Sequence, residues 1–241
     1  MSIFRFKQFH IRQDKCAMKI GTDGVLLGAW AAIAQASSIL DIGTGTGLLA
    51  LMAAQRNNLA NIHAIEIEEQ AYLQAAENIT LSKWSQRIQI FHQSIQAYTT
   101  NFSLPLYDSI ISNPPYFKIE ASTNILDQAR RQARSTDTLS FDALLDCVQQ
   151  LLNPLGNFSV ILPIKEGKSF AQLAIEKGFY LKRCIEVIPR IGKPSNRLLL
   201  ELVLSPSECQ LGELIIRREG KNNHNYTSEF EQLHKDFLLR L

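Results

Sequence analysis

The feature that most constrains the fold is an alternation that starts near residue 38. Short apolar runs alternate with longer amphipathic ones, and the apolar runs have the length of strands. Strands that alternate with helices form βαβ units and a mostly parallel sheet, and continuous apolar strands suit a sheet covered on both faces. The pattern predicts an α/β, doubly wound, Rossmann-like sheet of seven strands: SSILDIG, NIHAIEI, RIQIFHQ, YDSIISN, GNFSVILP, LKRCIEVIP and NRLLLELVLS.

The last two predicted strands are connected differently from the others. The loop RIGKPSN between them has no room for a helix. Since parallel neighbours need a long crossover, these two strands are expected to form an antiparallel hairpin at the edge of the sheet.

Composition excludes several classes of protein. The chain has 241 residues, 46% of them hydrophobic and 20% charged, with a net charge of +2. No apolar run approaches the ~18 residues of a membrane span, and the N-terminus lacks the apolar core of a signal peptide. The four cysteines form no CxxC pair, which indicates reduced thiols and no metal site. We therefore expect a cytoplasmic protein without a metal.

A glycine-rich segment lies between the first predicted strand and the helix after it. Gly43, Gly45 and Gly47 let a ligand approach the backbone closely, and ligands in such folds bind outside the carboxyl ends of the strands. Glu66 ends the next strand, where it can accept hydrogen bonds from ribose hydroxyls. Asp41 would repel the pyrophosphate of a dinucleotide but suits a cationic ligand. These residues favour S-adenosylmethionine over NAD; a tight turn without a ligand is the alternative.

A rigid corner follows the fourth predicted strand. In the segment NPPY, Pro114 and Pro115 fix two φ angles and remove two backbone donors. The corner holds the side chain of Asn113 on one side and the ring of Tyr116 on the other. A rigid surface turn without a function is the alternative interpretation.

With these motifs, the chain resembles a class I S-adenosylmethionine-dependent methyltransferase. NPPY resembles the motif of the amino-group methyltransferases that act on adenine, cytosine or glutamine. The segments FRFKQFHIRQDKCAMKIGTDGVLLGAW, NPPYF and NYTSEFEQLHKDFLLRL resemble the bacterial tRNA(Val) adenine-N6-methyltransferases, which modify the adenine beside the anticodon, adenine 37. The resemblance runs from about residue 3 to the C-terminus.

The resemblance implies roles for residues near the glycine segment. The three glycines would pass the methionine part of the cofactor, and Glu66 would bind its ribose. Thr22 and Asp23 would close over the methionine end. Ser94 stands where many relatives have an acidic residue that accepts from the cofactor adenine.

The resemblance also gives the corner a chemical role. The lone pair of an adenine amino nitrogen is delocalised into the ring. The side-chain oxygen of Asn113 and the carbonyl of Pro114 could accept its two hydrogens and free that lone pair, while the prolines hold both acceptors still. Tyr116 offers a face for stacking the base, and Phe117 adds to it.

Basic residues near the corner and near the predicted hairpin are candidates for phosphate contacts with a tRNA partner. They are Arg130, Arg131, Arg134, Lys193 and Arg197. The N-terminal segment FRFKQFHIR interleaves aromatic and basic residues, a mixture suited to stacking and phosphate contact. For each cluster the alternative is a solvated face, or, at the N-terminus, aromatic side chains that enter the core.

Two other functions stay open. The same acceptor pair would activate the amide of a protein glutamine, although the expected docking domain finds little room in the roughly 35 residues before the first core strand. A non-catalytic RNA-binding module is the other. We expect a single methyltransferase domain over 1–241, with an N-terminal arm and cofactor-closing segment over about 1–35, a catalytic core over about 36–205 and a C-terminal extension over about 206–241.

Overall fold

A computed structural model describes residues 3–16, 18–100, 105–115, 139–220 and 225–239. Within these ranges the strands are β1 (Ile3–Arg5), β2 (His10–Arg12), β3 (Ser38–Ile42), β4 (Asn61–Glu66), β5 (Ile88–His92), β6 (Tyr107–Ser112), β7 (Leu152–Pro163), β8 (Tyr180–Ile188), β9 (Arg197–Val203) and β10 (Gln210–Ile215). The α-helices are α1 (Thr22–Trp30), α2 (Leu48–Arg56), α3 (Glu69–Thr80), α4 (Ile95–Thr99), α5 (Phe141–Leu151), α6 (Ile164–Glu176) and α7 (Ser228–His234).

The main sheet confirms the predicted α/β class. Its eight strands lie in the order β10-β8-β9-β7-β6-β3-β4-β5. Neighbouring strands are parallel, except that β9 is antiparallel to both β7 and β8. The carboxyl ends of β3, β4, β5, β6, β7, β8 and β10 therefore share one edge of the sheet, and β9 starts at that edge. Ligands of doubly wound sheets bind at this carboxyl edge.

The strand count and the place of the hairpin differ from the prediction. Strands β8 and β9 are the predicted antiparallel pair, but an eighth strand, β10, covers β8 and forms the edge. The sequence of β10 lacks a continuous apolar run because its side chains are largely solvent-accessible, with Leu211 81% exposed. An edge strand has only one neighbouring strand, and its side chains are less covered than those of a central strand. Without an apolar run to mark a strand, the sequence of β10 was assigned to the C-terminal extension.

The core lies on both faces of the main sheet, as continuous apolar strands require. In β3, Ile39 packs in the cluster that includes α1 and α2, and the next residue, Leu40, packs in the cluster that includes α5. Ser140 caps α5 as the sequence predicts, because its hydroxyl accepts from the amide of Ala143 at 3.1 Å.

The N-terminal segment forms a separate two-stranded hairpin, β1 with β2. The rings of Phe6 and Phe9 are buried and stack with their centroids 4.5 Å apart. For these two, the alternative that N-terminal aromatics enter the core is correct. Phe4 stays half-buried. The predicted division of the chain into arm, core and extension stays a prediction.

Candidate active site

The register of the sheet brings the predicted site residues to adjacent strand ends. Ile42 pairs with Ser112 on β6 and with Ile65 on β4. The residues that follow, Asn113, Gly43 and Glu66, therefore leave the sheet side by side, at a strand spacing of about 4.8 Å. The hydroxyl of Ser112 also donates to the carbonyl of Ile42 at 2.9 Å, which ties the two strand ends together.

The glycine loop has a backbone that favours glycine at three positions. The φ angles of Gly43, Gly45 and Gly47 are 71°, 57° and 83°, all in the left-handed region. A Cβ placed on Gly43 or Gly45 would meet no atom within 4 Å. The loop therefore presents bare backbone to open space at the carboxyl edge.

Glu66 holds this loop in place. Its Oε2 accepts from the amide of Gly45 at 2.8 Å, and its Oε1 accepts from the amides of Ile67 and Glu68 at 2.9 Å each. The side chain is almost fully buried. A carboxylate offers about four lone-pair positions, so one acceptor position remains after these three bonds.

Asp41 is a second carboxyl beneath the loop. Its Oδ2 accepts from the Thr44 hydroxyl at 2.5 Å and from the amide of Ala50 at 3.1 Å, which joins the loop to the first turn of α2. Its Oδ1 is buried without a hydrogen-bond partner among the described residues. Complete burial raises the pKa of Asp41 to about 7. The structure thus places Asp41 under the loop, where it organises the backbone and is itself shielded from solvent.

Helix α1 begins with the two residues that the sequence predicts to close over the cofactor. Thr22 is exposed at its first position, and Asp23 accepts from the Nε of Arg197 at 2.8 Å. Gly24 packs against the first residue of α2 and the corner: a Cβ there would lie 2.9 Å from Leu48 Cδ2 and 3.8 Å from Asn113 Nδ2. The first turn of α1 therefore borders the amide group of Asn113.

At the corner itself, Asn113 is half-buried, Pro114 is buried and Pro115 is exposed. The predicted partners Tyr116, Phe117, Arg130, Arg131 and Arg134 lie outside the described residues. Asn113 follows β6 beside the start of the glycine loop, and its amide group borders α1 and stays partly accessible.

Ser94 lies past the end of β5, three strands from β6 and the corner, and is the N-cap of α4. Its hydroxyl oxygen accepts from the amide of Ala97 at 3.1 Å. The hydroxyl hydrogen is a donor that this bond does not use. The predicted contact to a cofactor adenine stays a prediction.

The two described basic candidates differ in their surroundings. Lys193 is exposed in the turn between β8 and β9, where its amide donates to the carbonyl of Arg190 at 3.0 Å. Arg197 is half-buried and forms the ion pair with Asp23. The sequence assigned Asp23 and Arg197 to different ligands, and the structure brings them together.

A residue that the sequence reasoning missed is Asn78, buried in the last turn of α3. Its side chain donates to the carbonyls of Arg12 and Thr46 at 2.9 Å each and accepts from the amide of Arg12. It thereby fastens β2 to the glycine loop. The only signal was an asparagine within an amphipathic helix, which is also common on solvated faces.

Over the described ranges, no group of three or more His, Cys, Asp or Glu side chains could hold a metal ion. No helix in the same part of the chain is long and apolar enough to cross a membrane.

Comparison with known proteins agrees with this geometry. Residues 20–158 match the family model "Methyltransferase small domain". The curated tRNA1(Val) (adenine(37)-N6)-methyltransferase of Bacteroides fragilis is 43% identical over 99% of this chain and 98% of its own. The protein of the same name from Tolumonas auensis is 44% identical over 99% and 97%.

Solved structures show the same fold at lower identity. An Agrobacterium tumefaciens protein described as a predicted O-methyltransferase superposes with a TM-score of 0.71 at 20% identity, over 89% of this chain and 96% of its own. P. horikoshii TYW2 in complex with MeSAdo gives a TM-score of 0.56 at 14% identity, over 85% and 72%. The fold and the near full-length identity together establish that the chain belongs to the tRNA1(Val) (adenine(37)-N6)-methyltransferase family and carries the methyltransferase small domain.

Proposed function

We propose that this protein transfers a methyl group from S-adenosylmethionine to the N6 amino group of an adenine in tRNA, adenine 37 of tRNA(Val), in the cytoplasm. The observation that carries the proposal is the juxtaposition of Asn113 with the glycine loop at the carboxyl edge, in a chain that matches its curated relatives over nearly its whole length.

The residues at this edge fit the cofactor. Bare backbone at Gly43 and Gly45 leaves room for a ligand to pack on the loop. The unused acceptor position of Glu66 suits a ribose hydroxyl, and the exposed Thr22 lies at the start of α1. When bound, S-adenosylmethionine supplies an activated methyl group on its sulfonium.

The role of the protein is to prepare the nucleophile. The Asn113 side-chain oxygen and the Pro114 carbonyl accept the two hydrogens of the adenine amino group. Such acceptors make the nitrogen pyramidal, so that its lone pair leaves conjugation with the ring. They contribute most when they need no reorganisation during the reaction.

Several contacts support a fixed position for these acceptors. The hydrogen bond between Ser112 and the Ile42 carbonyl fixes the end of β6. Gly24 lets α1 pack closely on Leu48 of α2, next to the Asn113 amide. The two prolines restrict the backbone beyond it.

The test is single-turnover methylation of a tRNA(Val) transcript. Asn113→Ala is expected to lower the rate about 10²–10³-fold, the loss found when one preorganised polar group is removed. Its tRNA affinity is expected to stay unchanged, because phosphate contacts dominate that binding. The matched control is Asn61→Ala, which removes an exposed asparagine at the start of β4, the opposite edge of the sheet.

The outcome that would contradict the proposal is a parental rate for Asn113→Ala, or methyl transfer to a transcript in which adenine 37 is replaced by guanine. Label recovered in a protein glutamine instead of tRNA would favour the alternative amide substrate.

A further inference from the structure

A cavity lies beside the proposed active site; it shares Thr22 with the proposed cofactor site, and its other walls have no role in the mechanism above. It encloses about 260 Å³ between β1, the first turn of α1, the end of β10 and α7. We call it the α7 pocket. Its walls are mainly aromatic and aliphatic, with Phe4, Val25, Tyr226, Phe230 and His234 among them and Arg217 as the charged member.

The pocket opens at the carboxyl edge of the sheet. Strand β10 runs parallel to β8, which runs in the same direction as β6 because β9 is antiparallel to both β7 and β8. Arg217 follows the end of β10 and so lies at the edge that carries Asn113. The carbonyl of Arg217 also accepts from the amide of Ile191 at 3.0 Å, which joins it to the turn that holds Lys193.

Helix α1 separates the pocket from Asn113 by no more than its own width. Gly24 faces Asn113, whereas Gly21, Thr22 and Val25 line the pocket. A helix with its side chains is about 10–12 Å across. The candidate occupant is therefore a nucleotide next to one bound at Asn113, in an unstacked strand.

The chemistry of the walls favours a nucleobase. Tyr226 stacks on Phe230 with centroids 4.7 Å apart, and the guanidinium of Arg217 lies 5.4 Å from the Tyr226 ring centroid. Aromatic side chains combined with arginine are the usual platform for unpaired bases. Outside the pocket, Arg218 and Lys193 are exposed cations that can meet the sugar-phosphate backbone.

We propose that the α7 pocket receives the base of a nucleotide adjacent to the methylated adenine, packed against Phe4 and Tyr226 and flanked by Arg217. This inference rests on the proposed function and adds a subsite that selects the single-stranded context of the target. It also gives a role to Phe4, the one N-terminal aromatic of the three that is not buried.

The test pairs a protein variant with an RNA variant. Anticodon stem–loops are prepared with an abasic nucleotide on the 5′ or on the 3′ side of the target adenine. We expect Tyr226→Ala to lower kcat/KM on the intact loop about 5- to 150-fold, the range that base–aromatic stacking supports. One of the two abasic loops should lower kcat/KM of the parent similarly. When Tyr226→Ala is assayed on that abasic loop, kcat/KM should be little lower than with either change alone.

Three controls separate the subsite from a general defect. Tyr226→Phe should retain the parental rate. Tyr180→Ala removes a tyrosine that is 41% exposed at the start of β8, on the opposite edge, and should show no coupling to the RNA change. S-adenosylhomocysteine affinity, measured by calorimetry, should be the same for all folded variants. If Tyr226→Ala does not fold, Arg217→Gln takes its place in the same design.

If the kcat/KM losses from Tyr226→Ala and from the abasic nucleotide multiply, on both the 5′ and the 3′ side of the target, the inference is overturned while the proposed function stays intact. A parent protein that does not methylate the intact loop or the full tRNA would overturn the proposed function itself.

Discussion

Replacing Glu66 tests whether the glycine loop and the cofactor site depend on one carboxylate. Glu66 accepts three backbone amide hydrogens, from Gly45, Ile67 and Glu68, at 2.8–2.9 Å. In Glu66→Gln the side-chain oxygen can keep two of these bonds, but its NH₂ group would face the Gly45 amide. A hydrogen bond to a charged group contributes about 1.5–3 kcal/mol, so we expect that loss in the free energy of unfolding. For a chain of this length it corresponds to roughly 3–12 °C in Tm.

The same change should weaken cofactor binding, because the Gly45 backbone loses its anchor and a ribose hydroxyl loses a charged acceptor. We expect S-adenosylhomocysteine to bind at least about tenfold more weakly, which equals 1.4 kcal/mol. Calorimetry at a temperature at which both proteins are folded measures this directly.

The matched control is Glu68→Gln. Glu68 is a carboxylate in the same connection, and it caps α3 by accepting from the amides of Gln70 and Ala71 at 3.0 and 2.7 Å. Its replacement should reduce stability by about 1 kcal/mol or less and leave cofactor affinity unchanged. Equal cofactor affinities for the Glu66 and Glu68 variants would refute the reasoning, since a general loosening of this connection would then explain both.

Two further predictions follow from the site. Burial raises the pKa of Asp41 to about 7, above its unfolded value of about 3.9, so the folded state binds the extra proton and the free energy of unfolding should fall as the pH rises from about 4 to 7. Urea unfolding at pH 5 and at pH 7.5 should show a smaller fall in this free energy for Asp41→Asn than for the parent. An identical fall in the two proteins would contradict the assignment. If the exposed Lys193 contacts a phosphate, Lys193→Ala should reduce the slope of log affinity for tRNA against log salt by about 1 without changing cofactor affinity, and an unchanged slope would leave Lys193 as a solvated side chain.

Local patterns identified seven of the eight strands of the main sheet and the glycine loop, because each depends on few residues. The positive φ angles of Gly43, Gly45 and Gly47 are a local backbone requirement, and glycines at this spacing after a buried strand indicate it directly. The same holds for Ser140, the N-cap of α5, whose hydroxyl accepts from the backbone amide three residues later.

Burial at the end of a strand was harder to predict. The sequence places Asp41 beside the loop, but only the packed structure shows that the side chain is buried below it and hydrogen-bonded to Thr44. Alternating side chains of a strand point to opposite faces, and a residue near the strand end can face either the ligand or the core.

The sequence by itself determined the α/β class, the glycine loop, the Asn-Pro-Pro corner and the order in which they occur. The tertiary structure alone decided that β10 forms the edge, that Asp23 pairs with Arg197, and that α7 and β1 enclose a pocket beside α1. The physical reason is the distance along the chain between the residues that make each contact. Strand, turn and cap patterns arise from neighbours a few residues apart, whereas these contacts join segments that are distant in the chain and meet only when the sheet assembles.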